Sequence, residues 1–497
     1  MSRPIIARQP RSALPLPSEE YVRKALPQSL GTFDMTMIFL MVLFFINIPV
    51  EMVGAGGGAF IYWIIGVLVF FLPCLIATAQ LGHIFFHEGS LYNWTYKALG
   101  SFWSFFVGLS FWVSGILGMV GSAGIAVSFL QGLNGTWLAE SRAQGVFIVF
   151  ILIFSAILAM QRFRVLQYIV NIVTLLMLFL IALLGLGALI WLVSGHHAAT
   201  NFTHSSGLTL QPNSYVLFST VILAFLGASV PMTLGGEVAD RKAITGHLFR
   251  GGVLVLAGYL LVTFALLVVV GPQAASGGPF VIIRTIDLVF GKSIGSLAAV
   301  CVIAFFLVLT ALFNSIFARL LFVGALDRRL PLYLGKLDEN RIPLGALVSQ
   351  TTVAVLFATV VFLLPYLISL GNPINLTNEL FTLTLYAHSM IWAISSVFLF
   401  IDLLVLYVRD RKTFQSRRIF PMPLLWGSMI VAPVASILAI VATLLYSPIP
   451  QLIPTELWGG IVGALTVGWL VIAAVVSMFA SGQAAWEDLS VADNKLP

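Results

Sequence analysis

The stretch from Ala224 to Glu237, AFLGASVPMTLGGE, is an apolar segment interrupted by Gly227, Ser229, Pro231, Gly235 and Gly236. Proline lacks a backbone donor and glycine weakens a helix, so a helix built from this stretch leaves some carbonyls and amides without intrahelical partners. In lipid such groups persist only where protein or a wet cavity surrounds them. They are then available to a ligand, because a half-helix N-terminus favours a carboxylate and free carbonyls accept from an ammonium. A second interruption lies in MTMIFLMVLFFINIPVEMVGAGGG, where Pro49 is followed by Gly54, Gly56, Gly57 and Gly58. Phe225, beside the central interruption, either closes over a bound solute or packs in the core.

Ionisable side chains at the centre of a bilayer cost about 2.5 to 3.5 kcal/mol on insertion scales, so each one here needs an account. His388 lies mid-way along an apolar run. It either lines a site and titrates, since histidine changes charge near neutral pH, or is a neutral imidazole bonded to a neighbouring helix. Glu51, two residues past Pro49, either attracts a cation or a proton or sits solvated in a vestibule. Glu237, with Asp240, Arg241 and Lys242 close by, either sits in a structural ion pair, such as one that locks an inner gate, or contacts substrate directly, and the ion pair is the expected reading. Arg319, near the inner end of a later apolar run, snorkels to the interface or pairs with an acid. Glu51, Glu237 and Arg319 are therefore the candidates for gating or coupling.

The elements that must hold these residues are membrane helices. The 497-residue chain is 60% hydrophobic and 9% charged, with a mean hydropathy of +1.04, outside the range of soluble domains. At about 20 apolar residues per span, twelve helices are expected, over 33–53, 59–86, 104–130, 144–160, 166–194, 214–234, 247–270, 293–323, 344–368, 378–407, 422–446 and 456–480. With both termini inside, 22 of the 25 lysines and arginines fall in inner segments, and only Arg142, Arg284 and Lys292 fall outside. That asymmetry predicts cytoplasmic termini, and it explains the net charge of +6 without invoking nucleic acid. The tail over 1–31 is proline-rich and basic and lacks the features of a signal peptide. Cys74 and Cys301 lie in apolar runs and imply neither a disulfide framework nor a metal site.

Pro49 and Pro231 lie at equal depths in the first and sixth helices, which suggests two five-helix repeats of opposite topology. The domain reading is then a tail (1–31), repeats over 32–194 and 213–407, two further helices over 422–480, and a C-terminal tail (481–497).

Three separated motifs carry a family resemblance. HEGSLYNWTYKALGSFWSFFVGL resembles the turn that opens the third helix of amino acid, polyamine and organocation permeases. GGEVADRKA resembles the end of their sixth helix, with Glu237 at a recurrent acidic position. FNSIFARLLFVGALDRRLPLYLGKLDENRIPLGALVSQ is similar to their eighth-to-ninth-helix junction, with Arg319, Gly324, Leu330, Pro331 and Pro343 in order. The resemblance implies an all-α polytopic membrane protein with the leucine-transporter-like five-plus-five inverted repeat and two added helices. It also implies secondary transport of amino acids or related amines, as permease or exchanger, by alternating access.

Carried over by position, the resemblance places substrate at Val42, Leu43, Phe44 and Phe45 and at Ala224, Phe225, Gly227 and Ser229. Ser114 and Gly118 of the third helix, and His388, complete the candidate binding set. Two positions depart from the family pattern. Val42, Leu43 and Phe44 stand where a small glycine-serine-glycine group is common, and Ser229 stands where many members carry an acid.

The expected partners are a small-molecule amino acid or amine, protons or a counter-substrate, and the lipid bilayer of the plasma (cell inner) membrane. No cofactor, metal or nucleic acid is expected. No HExxH, Ser-x-Gly elbow or phosphate loop points to an enzyme. A channel of the same fold would need repeated polar rings, and a non-transporting sensor would share every feature named above.

Overall fold

The computed structural model describes residues 15–202, 215–367 and 372–493. Arg3, Arg8 and Arg11 of the basic tail, Lys495, and Asn213 at the start of the second expected repeat lie outside the described residues.

Ten described helices are long and apolar enough to cross a membrane, from Gly58–Ile84 to Thr455–Ala480. Their outward side chains stay apolar: Phe179 is 67% exposed, Leu297 66% and Val471 54%. A bundle coated in this way is stable in lipid and would aggregate in water, so the chain is an integral membrane protein.

Two segments are interrupted. The first, expected as one helix over 33–53, is α2 (Thr32–Leu43) followed by α3 (Ile48–Met52), and the axis bends by 46° between them. The segment expected as one helix over 214–234 is a helix (Tyr215–Ala224), five turn residues, and a 3₁₀ helix (Val230–Glu237). The prolines do not sit at the breaks themselves. Pro49 and Pro231 each take the second position of the half that follows, where a missing N–H leaves no intrahelical bond unmade. The chain departs from helix upstream, at Phe44–Asn47 and at Phe225–Ser229.

The small-residue face of the Ser101–Leu133 helix packs against the Lys292–Leu326 helix. A Cβ at Gly115 would collide with the Phe317 ring, and one at Gly118 would come 3.2 Å from Phe313. Glycine permits this approach, and the phenylalanines fill the space.

Four described α-helices lie outside the twelve expected spans: α1 (Pro17–Ala25) in the tail, Leu91–Leu99, Val281–Phe290 and Arg411–Ser416. α1 docks beneath the bundle, with Val22 1% exposed. Its sequence carried the signal, with Pro17 first, Glu19 and Glu20 in the first turn and Arg23 and Lys24 in the last.

Candidate functional site

A cavity of about 310 Å³ lies between the two interrupted segments. It opens on the side away from α1, since Ser128, Val216, Pro279 and Tyr446 at its rim are near helix ends opposite that tail. Glu51 lines it and is exposed. His388 and Trp392 form part of its wall, edge to face at 5.2 Å.

Of the binding candidates, Phe45, Gly118, Ala224 and His388 line this cavity, as does Glu51. The others stand behind it. Val42, Leu43 and Phe44 are at most 3% exposed in the core. Ser114 donates to the Ser110 carbonyl of its own helix. Phe225 is fully buried, stacked on Phe71 at 4.3 Å, which is the core alternative of its two readings. Gly227 has φ of +101° and lies under the Trp392 indole, so that a Cβ there would come 3.1 Å from the ring. Ser229 is 7% exposed.

The first break is held by Tyr259, from the Arg241–Val269 helix. Its hydroxyl accepts from the Phe45 amide at 3.2 Å and donates to the Leu43 carbonyl at 2.6 Å. The same ring stacks on Phe44 at 4.9 Å and Trp63 at 4.5 Å, and meets Phe225 edge-on at 5.9 Å. One buried hydroxyl thus joins the two sides of the break, and one aromatic cluster lies behind both interruptions. Tyr259 carried no signal in the sequence, because an aromatic residue in an apolar run looks like packing. Asn47, Trp392 and Tyr386 also line the cavity. Asn47, within the first break in sequence, could have been suspected.

On the α1 side the structure is closed by charge. Arg319 meets Glu237 at 2.6 Å and Glu88 at 3.3 Å, with all three at most 3% exposed. Arg319 therefore takes the paired rather than the snorkelling alternative, and its guanidinium also lies 5.0 Å from the Phe163 ring. Burial and the neighbouring Glu237 carboxylate hold Glu88 well above the usual carboxylate range, against the pull of Arg319 and of the Gly236 amide that bonds it. Around this cluster, Ser18 bonds Asp327 through its amide (2.9 Å) and hydroxyl (3.0 Å), Lys97 meets Glu19 at 2.7 Å, and Leu30 pairs with Val238.

A cavity with room for a small solute lies between two interrupted helices of a membrane protein, with a buried charge cluster on its α1 side. The chain belongs to the amino acid permease family, whose model matches residues 30–489. Among similar proteins, the "Probable agmatine/putrescine antiporter AguD" of Lactococcus lactis is 25% identical over 242 residues, 48% of this chain and 51% of that protein. The "Glutamate/serine transporter AimA" of Bacillus subtilis is 26% identical over 244 residues, 45% of this chain and 43% of that protein. The matches thus span about half the length of these relatives. In fold, the chain is similar to MhsT, solved in complex with L-phenylalanine, with a TM-score of 0.56 at 14% identity over 84% of this chain and 99% of that one.

Proposed function

We propose that this protein is a secondary transporter, not an enzyme, that moves amino acids or related amines by alternating access. The observation that carries this reading is the one-sided cavity, flanked by two interrupted helices and closed beneath by the buried Arg319–Glu237–Glu88 cluster. Alternating access requires a site that faces one side at a time, with a gate that can exchange partners. In this reading the cluster and α1 form the inner gate, both termini are cytoplasmic, and the state seen is open outward.

Among the described residues ten helices are of membrane length, eleven with Thr32–Leu43 and Ile48–Ala55 taken as one bent crossing, and in this reading Tyr215–Ala224 with Val230–Glu237 is a further broken crossing, the twelfth. The matching positions of Pro49 and Pro231 support the inverted repeats over 32–194 and 213–407, followed by two added helices. The names of the relatives cover both amines and amino acids, and one of them is named a probable antiporter, so exchange is as much a part of the reading as proton coupling.

The test is counterflow in proteoliposomes loaded with one unlabelled amino acid or amine and given the same labelled compound outside. Accumulation that saturates and is lost in Gly227→Trp supports the reading. No flux for any of the twenty amino acids or common amines would refute it, and binding without flux would identify a sensor.

A further inference from the structure

The α1 face carries a block of positive charge that neither the cavity nor the buried Arg319 cluster uses. Arg411, Lys412, Arg417 and Arg418 lie between the Pro373–Arg409 and Met422–Leu445 helices, and all four are exposed. The segment that bears them is pinned. Gln80 donates to the Arg417 carbonyl at 3.3 Å and accepts from the Ile419 amide at 2.9 Å, Phe414 is buried, and Phe420 lies 5.9 Å from Phe249. These contacts bring Arg417 and Arg418 beside the first turns of the Arg241–Val269 helix, which adds the exposed Arg241, Lys242 and Arg250. His83, three residues past Gln80, is close enough to feel the charge of Arg241, so the two sets of cations form one patch.

Among the described residues none of these seven cations pairs with a carboxylate. Asp240, beside Arg241, is engaged in capping its own helix, where it accepts from the Ala243 amide at 2.7 Å. Another basic cluster of the same face is built differently. There Arg162 bonds Asn340, and Asp338 and Glu339 follow closely on Lys336, so acids are mixed with the bases. A general excess of Lys and Arg on one face is the loop asymmetry already described. Unbalanced cations held together on a pinned segment repel one another, and an outside anion relieves that repulsion.

The neighbours of the patch say which anion. One turn further along the Arg241–Val269 helix, Val253 and Leu254 are exposed, as are Leu424 and Trp426 beyond Arg418. Trp426 meets the Tyr407 ring edge-on at 5.4 Å, and the Arg411 guanidinium lies 5.7 Å from the same ring. Indole and phenol rings gather where lipid headgroups meet hydrocarbon. Cations, then aromatics, then bare apolar side chains match a molecule with an anionic head and apolar tails, whereas a soluble anion would meet the first layer alone.

We propose that this patch seats anionic phospholipid from the leaflet on the α1 side, with the headgroup phosphate among Arg250, Arg417 and Arg418. The test is titration of the purified full chain in detergent with phosphatidylglycerol and with phosphatidylcholine of the same acyl chains, the bound lipid being counted by native mass spectrometry. Each surface cation strengthens the attraction of an anionic lipid roughly fivefold. Phosphatidylglycerol is therefore expected to bind roughly ten- to a hundredfold more tightly than phosphatidylcholine, by a margin that shrinks as salt rises. The triple variant Arg250→Gln, Arg417→Gln, Arg418→Gln should lose most of that preference. The variant Arg162→Gln, Arg164→Gln, Lys336→Gln removes the same charge from the same face and should keep it.

Equal binding of the two lipids overturns the inference. Equal loss in the two triple variants overturns it too, because the effect would then belong to the charge of the whole face. Displacement of phosphatidylglycerol by inorganic phosphate at equal concentration would reveal a soluble-anion site and likewise overturn it. The comparison of lipids in the native chain needs no variant, and thermal unfolding of each variant in lipid-free detergent separates lost binding from lost fold. None of these measurements uses a transported solute, so the counterflow assay judges the transporter reading separately.

Discussion

Replacing Tyr259 by phenylalanine tests whether the first break is held as the structure indicates. The substitution removes one oxygen and leaves the stacked ring between Phe44 and Trp63. Two backbone groups lose the hydroxyl, the Leu43 carbonyl at 2.6 Å and the Phe45 amide at 3.2 Å, and keep only the bond between them, Phe45 amide to Leu43 carbonyl at 3.2 Å. The loss is then that of the shorter bond at a fully buried carbonyl rather than of every partner. A net intramolecular hydrogen bond is worth about 0.5 to 1.5 kcal/mol. Local opening of residues 43–48 should therefore become roughly 2- to 12-fold more frequent.

Hydrogen exchange of peptides spanning 43–50, followed by mass spectrometry on the protein in detergent, reads this directly. Faster exchange confined to those peptides is expected, with the Gly58–Ile84 helix unchanged. Exchange within twofold of the native protein throughout would refute the account, because it would mean that the hydroxyl does not hold the break.

Two further perturbations address the closed side. Arg319→Met leaves the Glu237 and Glu88 carboxyls buried without their cation and should destabilise the protein by about 3 to 5 kcal/mol, while adding Glu237→Gln and Glu88→Gln should restore most of the loss. Thermal unfolding followed by tryptophan fluorescence checks both, and a triple variant no better than Arg319→Met would sink the explanation. Docking of α1 should depend on pH through Asp327, whose carboxyl is pushed up to about 6 by burial, against the opposing pull of Ser18, Arg329 and Tyr92. A folded value above the ordinary 3.8 favours the protonated form, so docking is strongest below about pH 4 and loses about 3 kcal/mol as pH rises through 6. A nitroxide at Glu20→Cys should gain mobility across that window, and Asp327→Asn should abolish the change.

The sequence by itself determined the class and most of the framework. Apolar runs of membrane length leave few alternatives to a helical bundle, because lipid offers backbone groups no other partners. The glycines and prolines at 49–58 and 227–236 also marked the two places where helices fail, since those residues act on their own backbone. Even so, the prolines misplaced the failures by a few residues, because a proline starts a helix as readily as it ends one. The tail helix Pro17–Ala25 was legible from its capping residues and charges, but nothing local said that Ser18 would reach Asp327, more than three hundred residues away.

What faces the cavity was decided by tertiary structure alone. Ser114 and Gly118 are four residues apart on one helix, yet Gly118 borders the cavity and Ser114 does not. Phe225 and Trp392 are both aromatic and beside the sixth break in space, yet one packs into the core and the other walls the site. In a chain that is apolar on nearly every face, hydrophobicity does not separate core from lipid or cavity. The Tyr259 hydroxyl and the Glu237–Arg319 pair depend on helices far apart in sequence being brought within hydrogen-bonding distance, and only packing sets that distance.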